Sequence, residues 1–196
     1  MAVLLLDVMS TLVHEPFLHE VPAFLGRDLR ELRRELSIDA WVDFECGRID
    51  EATFAARFFR DGRAWDYDGL VTMLRGAYRY LDGIEPLLAE LRAAGHAMHA
   101  LSNYPVWYRI IDEVLDLSRF LSWQFVSCLT GVRKPDAAAY LGAASALDVA
   151  PAACVFVDDR DDNCAAARAV GMDAIRFESA AALRGSLAQR NLLPQA

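Results

Sequence analysis

No two of the four cysteines form a Cys-x-x-Cys pair. Cys46, Cys128, Cys154 and Cys164 are widely spaced, which argues against a zinc knuckle and against a redox dithiol. They are also too sparse for a disulfide framework in 196 residues. Free thiols in a reducing compartment, serving as small packing groups, are expected. No apolar stretch is long enough to span a bilayer. The amino terminus carries no basic region and its apolar run stops at Asp7, so no signal peptide is expected. These features point to a cytoplasmic protein without a membrane partner. Basic charge is also scarce, with 20 Lys and Arg against 28 Asp and Glu, for a net charge of −8. A nucleic-acid partner would need a basic patch. A small phosphorylated metabolite is still compatible, because a few local cations can dominate one site. Repeats, low-complexity tracts and long linkers are absent too. A monomer or homodimer fits this size.

What the chain has is five short, nearly continuous apolar runs: 2–6, 97–101, 124–128, 153–157 and 174–177. Continuous rather than alternating hydrophobicity marks parallel strands covered on both faces. Helical spacing falls between them. Ile84, Leu87, Leu88 and Leu91 share one face and Gly95 follows as a cap. Trp107, Ile110, Ile111 and Val114 repeat similarly, as do Tyr140, Leu141, Ala144 and Leu147. Ala165, Ala166, Ala169 and Val170 run up to Gly171. Strands alternating with helices predict an α/β fold, a Rossmann-like parallel sheet in three layers with right-handed crossovers.

One stretch breaks the alternation. Residues 14–80 hold no convincing strand but four helical patterns, over 27–36, 39–46, 50–59 and 70–80, with Asp50 as an N-cap. Residues 1–13 and 81–196 then form the core domain, and 14–80 a small helical cap inserted after the first strand. Such a cap would lie over the strand ends, where it could exclude water during chemistry.

The chemically suggestive residues sit at or just past predicted strand ends, where open parallel sheets bind their ligands. Asp7 closes the first run, with Thr11 four residues on. Ser102-Asn103 follow the second. Arg133-Lys134-Pro135-Asp136 come after the third, and Asp158-Asp159 after the fourth, with Asn163 beyond. A charge at the end of a buried strand is costly unless it is paired or holds a metal. Asp7 can attack phosphorus as a nucleophile. A hydroxyl and Lys134 can hold the phosphoryl oxygens. Several carboxylates together call for a cation, and Mg2+ takes hard oxygen ligands while keeping positions for water and phosphate.

With Asp7-Val8-Met9-Ser10-Thr11, Ser102-Asn103, Lys134-Pro135-Asp136 and Asp158 to Asn163 in this order, the chain resembles the haloacid dehalogenase superfamily. Within it, the chain looks most like the plant-type flavin mononucleotide hydrolases. The pieces shared with those are Asp7-Val8-Met9, Glu15-Pro16-Phe17, Val21-Pro22, Asn103 to Tyr108, Tyr80 to Gly83 and Leu121 to Trp123. The resemblance implies a Mg2+-dependent phosphomonoester hydrolase. Asp7 would be the nucleophile that becomes an aspartyl-phosphate, and Lys134 its catalytic partner. Asp7, the carbonyl of Met9, Asp159 and Asp158 would hold the metal. Ser102, Asn103, Thr11 and Lys134 would bind the phosphate.

One departure stands out. Phosphatases of this superfamily usually carry an aspartate two residues past the nucleophile to protonate the leaving alcohol, and here that position is Met9. A missing acid costs roughly 10²–10⁴ in rate. His14, or a water held by the metal, is a candidate replacement. Two other readings stay open: a dehalogenase, whose departing halide needs no proton, and a catalytically degenerate binding module. Tyr104, Trp107 and Tyr108 could either stack on a flat ring or pack in the core.

Overall fold

The computed structural model describes residues 2–195. Five strands form one parallel sheet: β1 (Val3–Leu6), β2 (Ala97–Ser102), β3 (Ser122–Val126), β4 (Cys154–Asp158) and β5 (Asp173–Arg176), in the order β3-β2-β1-β4-β5. Strand β1 is central, with Val3 to Leu6 pairing Ala97 to Ala100 on one side and Cys154 to Val157 on the other. The strand alternation explains the layers. Leu4 and Leu6 face one hydrophobic cluster and Leu5 faces the other. All three are at most 1% exposed, as a strand covered on both faces requires.

The cap consists of a 3₁₀ turn (Pro16–Leu18) and five helices: α1 (Glu20–Phe24), α2 (Leu29–Glu35), α3 (Ile38–Glu45), α4 (Glu51–Arg57) and α5 (Tyr67–Ala77). Their starts follow capping chemistry. Asp28, Ser37, Asp50 and Asp66 each accept a backbone N–H of the first turn, with Asp28 and Glu31 forming a capping box. In the rest of the chain lie α6 (Ile84–Ala93), α7 (Tyr108–Leu115), α8 (Ser127–Thr130), α9 (Ala137–Ala146), α10 (Asp161–Ala169) and α11 (Ala180–Gln189). Helices α6 and α11 cover the Leu4 and Leu6 face through Ile84, Leu87, Leu88, Leu91, Leu183 and Leu187. Helices α9 and α10 cover the Leu5 face through Tyr140, Ala143, Ala144, Cys164 and Ala167.

Several expected boundaries move. Strand β3 begins and ends two residues earlier than its apolar run, because Ser127 and Cys128 already turn into α8. The segment 16–24, read without structure, is helical. The expected helices at 50–59 and 70–80 are Glu51–Arg57 and Tyr67–Ala77. The chain enters and leaves the cap side by side, with Val13 bridged to Tyr80 and the His14 N–H donating to the Arg79 carbonyl at 2.9 Å. The cap seats on the core at Gly47, where φ is +67° and a Cβ would stand 2.3 Å from the Cys128 carbonyl oxygen. Only glycine permits that approach. All four cysteines are free, and three are buried with Cys128 partly so. No helix among the described residues is long and apolar enough to cross a membrane.

Candidate active site

Asp7 follows the last residue of β1, its backbone N–H still bonded to the Val157 carbonyl at 2.9 Å. Ser10 then adopts φ of +59° and donates its N–H to the Val13 carbonyl at 2.8 Å, folding the chain back. Through this turn the Thr11 hydroxyl donates to Asp7 Oδ2 at 3.0 Å. Thr11, expected to bind phosphate, orients the nucleophile candidate, and its side chain is fully buried.

From the loop between α8 and α9, Lys134 reaches across the strand ends. Its Nζ donates to Asp7 Oδ1 at 2.7 Å and to Asp158 Oδ2 at 2.5 Å. All three side chains are buried. Asp158 is also held by the Arg160 N–H at 2.9 Å and by both its oxygens on Asn163 Nδ2 at 3.0 Å. Asn103 serves Lys134 in turn. Its amide donates to the Lys134 carbonyl at 2.8 Å and accepts the Lys134 N–H at 2.7 Å. Asn103 borders the cavity, yet its amide is spent on placing Lys134. Ser102 is buried and its Oγ has no partner among the described residues. Ser102 does not border the cavity over these groups, although the motif order expects it to bind the phosphate. Asp136 caps α9 and stays exposed, so it is structural.

Asp7, Asp158 and Asp159 each present a carboxylate oxygen within 4.8 Å of the others. Against them stands one ammonium, that of Lys134. The carboxyl of Asp7 is pushed up to about 6, chiefly by burial and further by Asp158, with Lys134 opposing. Burial and Asp158 likewise raise Asp159. Burial first and mutual repulsion second make it costly to ionise the whole cluster. The donor set, three carboxylates with Met9 also bordering the cavity, suits a hard divalent cation such as Mg2+.

A cavity of about 480 Å³ opens over these groups, walled also by Met9, Ser10, Glu15, Glu45, Arg133 and Arg160. A second cavity of about 500 Å³ adjoins it under the cap, with Phe17, Leu32, Leu36, Trp41 and Tyr104 among its walls. The motif spacing did not reveal Glu15 and Glu45. They belong to the cap, and the one local hint was an acid directly before Pro16. Glu45 is buried, accepts from Trp41 Nε1 at 3.2 Å and lies 2.9 Å from Arg133 Nη2.

Two of the open alternatives close here. His14 is turned to Glu20, with Nε2 2.6 Å from Oε1, and borders neither cavity. Its neighbour's carboxylate, rather than the site, satisfies the imidazole. Trp107 is 1% exposed at the centre of an aromatic cluster with Phe44 and Phe54, and Tyr108 lies against Trp123. Neither offers a stacking face, whereas Tyr104 does border the cap cavity.

The sequence model for haloacid dehalogenase-like hydrolases matches residues 1–171. The chain is 45% identical over 185 residues to the chloroplast flavin mononucleotide hydrolase 1 of Arabidopsis thaliana, covering 94% of this chain and 76% of that one. It is 28% identical over 153 residues to the sesquiterpene phosphatase astK of Aspergillus oryzae, covering 74% and 75%. Among solved structures, a haloacid dehalogenase family enzyme of Bacteroides thetaiotaomicron in complex with magnesium and inorganic phosphate superposes with a TM-score of 0.70. It is 17% identical, over 91% of this chain and 95% of that one, a likeness of fold.

Proposed function

The chain belongs to the haloacid dehalogenase-like hydrolase family, and from that premise we propose that it hydrolyses phosphomonoesters with Mg2+, through an aspartyl-phosphate on Asp7. The observation that carries this reading is the meeting of Asp7, Asp158, Asp159 and Lys134 in one cavity. The three carboxylates favour a metal-assisted phosphoryl transfer over attack on a carbon–halogen bond.

A carboxylate oxygen of Asp7 attacks phosphorus, and the ester P–O bond breaks with its electron pair going to the leaving oxygen. Thr11 and Lys134 hold the two Asp7 oxygens, so the nucleophile is oriented before substrate arrives. Lys134 offsets charge on the phosphoryl oxygens. Water then attacks the aspartyl-phosphate, releasing phosphate and restoring Asp7. Asp7, Asp159, Asp158 and the Met9 carbonyl would hold Mg2+, which would supply further positive charge to the phosphoryl transfer.

Flavin mononucleotide is the substrate we favour. The 45% identical relative bears that activity in its name, and the cap cavity beside the site has aromatic and aliphatic walls that could receive a ring system. The test is phosphate release from flavin mononucleotide and from a panel of other esters, with Mg2+ and after EDTA. Release that needs the metal is expected. No release from any ester, or release indifferent to EDTA, overturns the reading.

A further inference from the structure

Met9 leaves the departing alcohol without its usual proton source, and the two cavities narrow the search for another. The scissile ester oxygen must lie where they meet, with phosphate on one side and leaving group on the other. Six residues border both, and of these only Glu15 and Glu45 carry a carboxyl group.

The two acids differ in what holds them. Glu45 is tied by Trp41 Nε1 and stands beside the Arg133 guanidinium. Burial raises the Glu45 carboxyl as well, with Arg133 and the Trp41 N–H opposing, but its Oε1 is taken by the indole and its Oε2 faces the guanidinium, so neither oxygen is free to carry a proton to the ester. Glu15 has no such cation: among the described residues no ion pair reaches it. Its backbone is extended, as a residue before proline must be, with φ of −93° and ψ of 101°. Its Oε1 is fixed by the Phe17 N–H at 3.0 Å, and Oε2 takes no hydrogen bond among the described residues. One oxygen is anchored and the other is left to carry the proton.

We propose that Glu15 is the proton donor to the leaving alcohol, standing in for the acid that Met9 cannot be. The inference rests on the phosphomonoesterase reading above. As Asp7 bonds to phosphorus, the electron pair of the breaking P–O bond stays on the ester oxygen. That oxygen takes the Oε2 proton and leaves as the alcohol. The Glu15 carboxylate then removes a proton from the water that attacks the aspartyl-phosphate, so the group ends the cycle as it began. Burial is the main cause that pushes the Glu15 carboxyl up to about 7, with Asp7, Asp159 and Glu45 adding repulsion and the Phe17 N–H opposing. Arg33 on the cap and Arg133 and Arg160 on the core are the cations bordering the same space. A protonated acid near neutral pH is what the step needs.

The experiment compares an alkyl ester, flavin mononucleotide, with p-nitrophenyl phosphate, whose phenolate leaves without help. Wild type and Glu15→Gln are assayed with saturating Mg2+. Glu15→Gln is expected to lose about 10²–10⁴-fold in kcat on the alkyl ester, and at least tenfold more there than on the aryl ester. Equal losses on the two esters, or none on the alkyl ester, overturn the proposal. Should Glu15→Gln fail to fold by circular dichroism, the wild-type pH profiles decide. A fall in alkyl-ester kcat as pH rises past about 7, absent for the aryl ester, supports Glu15, and a limb common to both esters overturns it. If wild type cleaves neither ester, the phosphomonoesterase reading itself falls, a result distinct from these.

Discussion

Two regions meet over the strand ends, and they are built on opposite principles. On the core side, Asp7, Asp158 and Lys134 are buried charges bound tightly to one another. On the cap side, Trp41, Phe44 and Phe54 form an aromatic cluster around Trp107 from the core, with Phe44 and Phe54 stacked at 4.3 Å. The first region gives up stability to hold reactive groups in a low-dielectric site, while the second adds stability by burying apolar area. Changes to the charged side should therefore act on chemistry, and changes to the aromatic side on folding.

The sharpest way to break this contrast is Asp7→Asn. Turnover should fall on the order of 10⁶-fold, the scale of losing a covalent nucleophile. The fold should not suffer. The Asp7 carboxyl sits near 6 in the folded chain, above its ordinary 3.8. A raised acid contributes a penalty that grows as pH climbs from the unfolded value through the folded one. At pH 7 and without metal, the variant should melt no lower than wild type. A melting point several degrees lower would show that Asp7 supports the fold after all.

Lys134→Ala tests the same region from the other side. It strands two buried carboxylates, which costs about 3–5 kcal/mol. For a domain of this size the melting temperature should drop by roughly 6–20 °C, measured by calorimetry without metal. Mg2+ should restore part of the loss, since a cation among the three carboxylates replaces the missing charge. A drop unaffected by Mg2+ would mean the carboxylates do not form a metal site.

On the aromatic side, Phe54→Ala should cost up to about 3–5 kcal/mol by leaving a hole against Phe44, Phe58 and Trp107. Phe54 borders neither cavity. At a temperature where the variant is folded, kcat on p-nitrophenyl phosphate should stay within tenfold of wild type. A larger fall would mean that the cap's packing reaches the reacting groups.

The same division governs what could be read before any coordinates. The charged side was legible because each of its groups ends or follows an apolar run, so Asp7, Lys134, Asp158 and Asp159 converge by sheet topology alone. Strand β3 was displaced by two residues because Cys128 continues the apolar run although the backbone has already turned at Ser127. The cap was harder. Proline at 16 and 22 masked the short helix α1 and its preceding turn. His14, a candidate acid that no spacing argument supported, is bonded to Glu20 instead. Glu15 and Glu45 owe their place to the docking of the cap on the core, seated by Gly47 against Cys128, and no local pattern encodes that contact.

The finest test lies where the two regions touch. Trp107 follows β2 yet is held from the cap, its Nε1 donating to Glu51 Oε1 at 3.1 Å and to the Tyr67 hydroxyl at 3.1 Å. The Tyr67 hydroxyl also donates to Glu51 Oε1 at 2.6 Å, closing a triangle between α4, α5 and Trp107. Tyr67→Phe removes one corner but leaves the Glu51 contact to the indole. The expected loss is about 0.5–1.5 kcal/mol, read from urea unfolding, because the indole N–H keeps a partner. Glu51→Gln in the same background should then cost less than it does alone, since the two share one network. Independent, additive losses would mean that Glu51 and Tyr67 act separately and do not hold Trp107 as one network.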